Sequence, residues 1–305
     1  MAKAVGPRQY GVGRKAGLEE AIHTARAMAE LRPQLVWVAL DATNAFNTLW
    51  RHRVLEGVAA KVPALSAYAR FSLDRRSRYW YQSSDGAWHE LGAEEGVDQG
   101  APLSPAFFAV GVAPALQRLE ERLRSAAASR GEDPEEVMVM AYLDDVLLGL
   151  PPSLVQDGCE WAKEELKAVG LELNLGKTCA WAAEAPGPEL LDWLTEGRWW
   201  REEGFRLLGT PLAGGRELAL GTEAFTGAFL HEKCKEGRRL VRKVAELPAW
   251  RATSGRAHES PPSHPGNAEA GRLATCSASR RPAKSWRMRR RSTKRSSGCR
   301  DEIWV

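Results

Sequence analysis

Val137-Met-Val-Met-Ala-Tyr-Leu-Asp-Asp-Val-Leu-Leu148 decides the fold. Two apolar runs flank a pair of adjacent acids, and the pattern extends from Glu136 to Leu150. Short apolar runs broken by turn residues predict buried strands joined by a tight turn. Asp144 and Asp145 then lie at the turn, where neighbouring carboxylates repel each other and lose solvation. A divalent cation would neutralise them.

Working outward, Gln34-Leu-Val-Trp-Val-Ala-Leu40 reads as another buried strand, ending at Asp41. Strand ends can project Asp41, Asp144 and Asp145 into one cleft despite the 103-residue separation of the first two. Mg²⁺ favours such oxygen ligands, one or two carboxylates completed by phosphates and water. Two ions roughly 3.5–4 Å apart suit metal-assisted phosphoryl transfer. Taken alone, a strand-ending Asp and a turn Asp-Asp serve equally well to cap and solvate turns.

The remaining elements follow from periodicity and punctuation. Leu18, Ile22, Ala25 and Ala29 make one apolar stripe of a helix over Gly17 to Leu31. Thr48 to Lys61 reads as a helix, and Arg78–Gln82 with Trp88–Leu91 flank a Ser-Ser-Asp-Gly turn as a hairpin. Ser104-Pro105 has the form of a helix cap followed by proline, and Pro114 is expected to kink that helix. Asp157-x-x-Glu160 is a capping-box pattern for a helix closed by Gly170. Leu171–Trp181 and Phe205–Leu208 read as strands, and Gly227–Leu247 as a basic helix. The class is α+β, with a largely antiparallel sheet.

An ordered series runs through these elements. It comprises Asp41-Ala-Thr-Asn-Ala-Phe46, Gln99-Gly-Ala-Pro-Leu-Ser-Pro105, Tyr142-Leu-Asp-Asp145, Gly170-Leu-Glu-Leu-Asn-Leu-Gly-Lys177 and Leu207-Leu-Gly-Thr210. The series resembles the palm of a reverse transcriptase, most closely those of non-LTR retroelements. Gln9-Tyr-Gly-Val-Gly13 resembles the segment before that palm. The resemblance covers residues 8–212.

That resemblance implies a polymerase palm, an antiparallel sheet backed by helices in the ferredoxin/RRM-like manner, with truncated fingers and a partial thumb. Asp41 and Asp144 would be the principal metal ligands, assisted by Asp145, with two Mg²⁺ ions that Mn²⁺ can replace. Nucleotide contacts would come from Ala42, Ala45, Phe46, Gln99, Gly100 and Lys177. Phe46 holds the position of the steric gate against a ribose 2′-OH, and Lys177 that of a proton donor to pyrophosphate. Leu208 and Gly209 would lie near the primer end. The implied partners are an RNA template, a DNA primer and a dNTP, with a second chain supplying fingers left open. A catalytically inactive remnant that only binds nucleic acid, and an RNA-dependent RNA polymerase, are the alternatives.

Composition sets the outer bounds. The 305 residues are 44% hydrophobic and 27% charged, as in a soluble globular protein. Residues 251–305 hold 13 Lys and Arg against 4 Asp and Glu, leaving the first 250 residues with 30 against 35. The tail has only three Leu, Ile, Val or Phe residues, too few to offset the entropy of ordering it, so disorder is expected there. The start Met1-Ala-Lys-Ala-Val-Gly-Pro7 lacks a secretory apolar run, and Ala101–Leu116 is too short and proline-rich to span a bilayer. Five cysteines without a C-x-x-C pair argue against a disulfide framework or a zinc finger. The spacing of His258, His264, Cys276 and Cys299 is unlike a zinc knuckle. The expected setting is intracellular without membrane contact, nucleus or cytoplasm being open. The expected divisions are 1–33 as a fingers remnant, 34–212 as palm, 213–250 as partial thumb and 251–305 as basic tail.

Overall fold

The computed structural model describes residues 1–214 and 220–246. The expected tail, its basic clusters and its His/Cys residues lie outside the described residues. Helices α1 (Ala2–Val5) and α2 (Gly17–Leu31) precede strand β1 (Val36–Leu40), followed by α3 (Ala45–Thr48), α4 (Arg51–Lys61) and α5 (Ser66–Leu73). A hairpin, β2 (Ser77–Gln82) and β3 (Trp88–Ala93), leads into the long α6 (Ser104–Ser129). Then come β4 (Met138–Tyr142), β5 (Asp145–Leu150), α7 (Val155–Lys167), β6 (Cys179–Trp181) and α8 (Pro188–Glu196). A second hairpin, β7 (Phe205–Leu207) and β8 (Thr210–Leu212), precedes α9 (Leu220–Glu246). No helix among the described residues is long and apolar enough to cross a membrane.

The central sheet has the order β4-β5-β1-β6, and every strand pair in it is antiparallel. Alternate residues of β1 divide between two covered faces. Val36, Val38 and Leu40 join Val139, Ala141, Val146 and Leu148 in a core with α4, α6 and α7, which contribute Val54, Phe108, Leu119, Leu123 and Leu166. Trp37, Met140, Leu147 and Trp181 face the other way, onto Ala21, Ala25 and Ala29 of α2 and onto Phe205, Leu207 and Leu212. A sheet covered on both sides needs apolar residues at successive positions, which is why these strands read as continuous runs rather than alternating ones. Truncating a fully buried leucine such as Leu119 removes about 2–5 kcal/mol.

Several expectations are corrected. Ser104 is the first residue inside α6, and its hydroxyl makes no cap. Asp157 lies inside the first turn of α7, where its carboxylate pairs with Arg130 instead of capping. The helix already starts at Val155, directly after a 3₁₀ turn over Pro152–Leu154, so no capping box forms. The expected helix from Thr48 breaks at Leu49 and Trp50, both extended, because the Leu49 carbonyl accepts from Gly96 N at 2.8 Å. Of Leu171–Trp181 only Cys179–Trp181 is strand. The rest is a loop turning at Asn174, whose carbonyl accepts from Lys177 N at 3.0 Å and Thr178 N at 3.2 Å. Helices α5 and α8 were not expected. Among the described residues Cys159, Cys179 and Cys234 are unpaired, and burial pushes the Cys159 thiol up to about 12.

Candidate active site

Register brings the first two acids together. Leu40 of β1 pairs with Val146 of β5 in an antiparallel ladder, so the next position sets Asp41 opposite Asp145. Alternation turns both toward the face of Trp37 and Leu147. Tyr142 pairs with Asp145, which leaves Leu143 and Asp144 as a two-residue hairpin loop. Leu143 has φ +58°, the positive first position of a type II′ turn that glycine normally fills. A pair of hydrogen bonds with Gln9 holds that residue, Leu143 N donating at 2.7 Å and Leu143 O accepting at 3.4 Å.

The loop after α7 encloses Asp41. Asn174 N donates to the Asp41 carbonyl at 2.8 Å, and Ala42 bridges Leu173. Lys177 Nζ lies 3.3 Å from Asp41 Oδ2. That oxygen is nevertheless buried without an aligned hydrogen bond, so the ammonium is close but not directed at it. Asp145 keeps surface exposure, yet its carboxyl is raised above the ordinary range. Loss of solvation is the main cause, then the charges of Asp144 and Asp41, with Lys177 opposing. Three carboxylates therefore share one electrostatic neighbourhood with one free lone-pair oxygen.

The other sequence-expected residues divide. Leu208 joins Tyr142, Asp145 and Leu207 around a cavity of about 60 Å³. It turns the β7–β8 hairpin with Gly209, at φ +48° and +80°. Both positive values fit a type I′ turn. Gln99 and Gly100 are exposed in the loop before α6, and Gly100 has φ +93°. Phe46 is half-buried and stacks on Phe108 with centroids 4.5 Å apart. Ala45 is only 3% exposed, so its methyl packs in the core. No three His, Cys, Asp or Glu side chains among the described residues form a ready metal cage.

Two residues were missed. Gln9 was quoted for its segment and not for its amide, and nothing in its local pattern shows a partner 134 residues away. Arg51, 6% exposed, donates to Gly96 O, Arg75 O and Ser77 Oγ at 2.9, 2.8 and 3.0 Å. Its signal was present: Arg51, Val54 and Val58 fall on one helical face.

A helix-backed antiparallel sheet, with acids at the end of β1 and in the β4–β5 turn, is a polymerase palm-like fold. The apo telomerase of Candida tropicalis shares it at a TM-score of 0.50, with 13% identity, over 68% of this chain and 36% of that one. The chain belongs to the family described as reverse transcriptase (RNA-dependent DNA polymerase), which matches residues 1–212. It is also 28% identical over 172 residues to the retrotransposable element SLACS 132 kDa protein of Trypanosoma brucei gambiense, covering 56% of this chain. The chain spans 13% of the length of that relative.

Proposed function

We propose that this chain carries the nucleotidyl-transfer site of a retroelement reverse transcriptase, copying an RNA template by extending a DNA primer with dNTPs. The observation that carries the reading is the opposition of Asp41 and Asp145 in register, with Asp144 in the adjoining turn. In the reaction the primer 3′ oxygen forms a bond to the α-phosphorus, and the bond to pyrophosphate breaks.

The donor set fits a divalent cation. Asp41 Oδ2 is buried without an aligned hydrogen bond, and loss of solvation followed by the charges of Asp144 and Asp41 raises Asp145, so a positive charge there relieves both. Asp41 and Asp144 would hold two Mg²⁺, with Asp145 assisting. When bound, these ions would activate the primer hydroxyl and stabilise charge on the leaving oxygens.

The chain's own groups do the rest. Lys177, whose Nζ lies 3.3 Å from Asp41, would give a proton to the departing pyrophosphate. Phe46, fixed by its stack on Phe108, would exclude a ribose 2′-OH. Gln99 and Gly100, both exposed, would contact the incoming base pair, and Leu208-Gly209 would lie near the primer end, Leu208 lining a cavity with Asp145.

Primer extension on an RNA template with Mg²⁺ tests this reading. Incorporation that Asp144→Asn abolishes, with nucleic-acid binding retained, is the expected result. Salt-sensitive binding without incorporation, indifferent to Asp144→Asn, would instead identify a nucleic-acid-binding remnant.

A further inference from the structure

The turn carrying Asp144 is not held by its own hairpin alone. Leu143 at φ +58° adopts a left-handed conformation costing a residue with a Cβ about 1–2 kcal/mol. Its peptide groups need partners, because buried backbone donors and acceptors are costly when unpaired. The partner is Gln9, whose side chain is inside the protein at 0% exposure. Gln9 Oε1 accepts from Leu143 N at 2.7 Å and from Gly11 N at 3.0 Å, and Gln9 Nε2 donates to Leu143 O at 3.4 Å.

The backbone around Gln9 is anchored to the same strand. Tyr10 N donates to Ala141 O at 2.7 Å, and Ala141 N donates to Arg8 O at 2.8 Å, so residues 8–10 run parallel along the free edge of β4. Gly11 completes the approach. A Cβ there would lie 2.9 Å from Leu143 Cγ and 3.0 Å from Leu143 N, closer than the turn can tolerate. An amide suits the position because it is donor and acceptor together. A carboxylate could only accept, and a thioether would do neither usefully.

We propose that Gln9 is a positioning residue. It grips the Leu143 peptide from both sides, fixes the direction of the β4–β5 turn, and so sets the Asp144 carboxylate relative to Asp41 and Asp145. The inference rests on the polymerase reading above for its consequence, but the grip itself is measurable without activity.

The experiment uses the full chain and three variants: Gln9→Met, Gln9→Glu and Val5→Ala. Val5 is a control on the same N-terminal segment, 2% exposed in α1, which packs on α6. Amide exchange at Leu143 reads the grip, and titration with Mn²⁺ alone, followed by electron paramagnetic resonance, reads the acids. Gln9→Met should speed Leu143 exchange at least tenfold and weaken Mn²⁺ binding about tenfold. Val5→Ala, at a comparable loss of melting temperature, should leave both within twofold. Gln9→Glu keeps the two acceptor bonds but sets a carboxylate oxygen against Leu143 O, so Leu143 exchange should fall between those of Gln9→Met and wild type. Equal behaviour of Gln9→Met and Val5→Ala overturns the proposal, as does faster exchange with unchanged Mn²⁺ affinity. Absence of Mn²⁺ binding by the wild type together with absence of primer extension sinks the polymerase reading instead.

Discussion

Arg51→Met should detach the β2–β3 hairpin from the rest of the fold. Among the described residues no carboxylate pairs with the buried guanidinium, which is solvated by the carbonyls of Gly96 and Arg75 and the hydroxyl of Ser77. Hydrogen bonds from a charged donor contribute about 1.5–3 kcal/mol each, and two stranded carbonyls cost about 1–3 kcal/mol apiece. Against this, removing the charge recovers several kcal/mol of desolvation. Methionine keeps most of the stem and its packing against α4's neighbours. The net loss should be about 2–4 kcal/mol, or a fall in melting temperature of about 5–12 °C for a domain of this size. Urea unfolding gives the first quantity, and hydrogen exchange locates it. Residues 77–93 should lose protection well before β1 and β5, since the hairpin's aromatic residues, such as Trp80 and Trp88, are exposed and give it no second anchor in the core. Arg51→Lys should fall between the two, keeping the charge with fewer bonds. A loss below about 0.5 kcal/mol, or a loss of protection spread evenly over the sheet, would refute the argument.

Asp145→Asn should raise the melting temperature at neutral pH in the absence of divalent cations. The raised carboxyl of Asp145 means that the folded state prefers it protonated, so ionisation costs stability as pH rises through the raised value. The advantage of Asn should therefore shrink toward zero as pH falls below the ordinary Asp value of about 3.9, and melting curves at stepped pH would show a wrong sign at once. Gly96→Ala and Gly100→Ala form a paired test. Gly96 has φ +75° and a Cβ there would meet the Asn47 backbone at 2.5 Å, so a loss above about 3 kcal/mol is expected. Gly100 has φ +93° and open space, so only the conformational cost of about 1–2 kcal/mol applies, and denaturant midpoints should rank the two accordingly.

What could be read from the sequence was whatever is encoded locally. Acids inside apolar runs marked β1 and the β4–β5 hairpin, and the periodicity of Leu18, Ile22, Ala25 and Ala29 matched α2 to its observed bounds. Local codes failed where a distant partner decided the outcome. Asp157 and Glu160 had the spacing of a capping box, but Arg130 takes the Asp157 carboxylate and the helix starts two residues earlier. Leu171–Trp181 was apolar enough for a long strand, yet β6 needs only the three residues that pair with Trp37, Val38 and Ala39. The remainder wraps Asp41 and delivers Lys177 to it. Gln9 and Arg51 are the extreme cases, since each works through bonds to backbone that a linear pattern cannot display.

The acids are aligned by two different means. Asp41 and Asp145 are fixed by ladder register, which the buried faces of β1 and β5 enforce, since a slip of one residue would turn Val38 and Leu148 out of their core. Asp144 has no such guarantee, because it sits in a turn whose first residue is a strained leucine. A glycine at 143 would remove the strain and keep both Gln9 bonds, which go to backbone, but it would also open other conformations to the turn. The β7–β8 turn also has a leucine at positive φ, Leu208, which lines a cavity with Asp145. At the β4–β5 turn the strained residue is held by Gln9, far away in the chain. The proposed role of that segment is to fix, together with the sheet, where the third carboxylate lies.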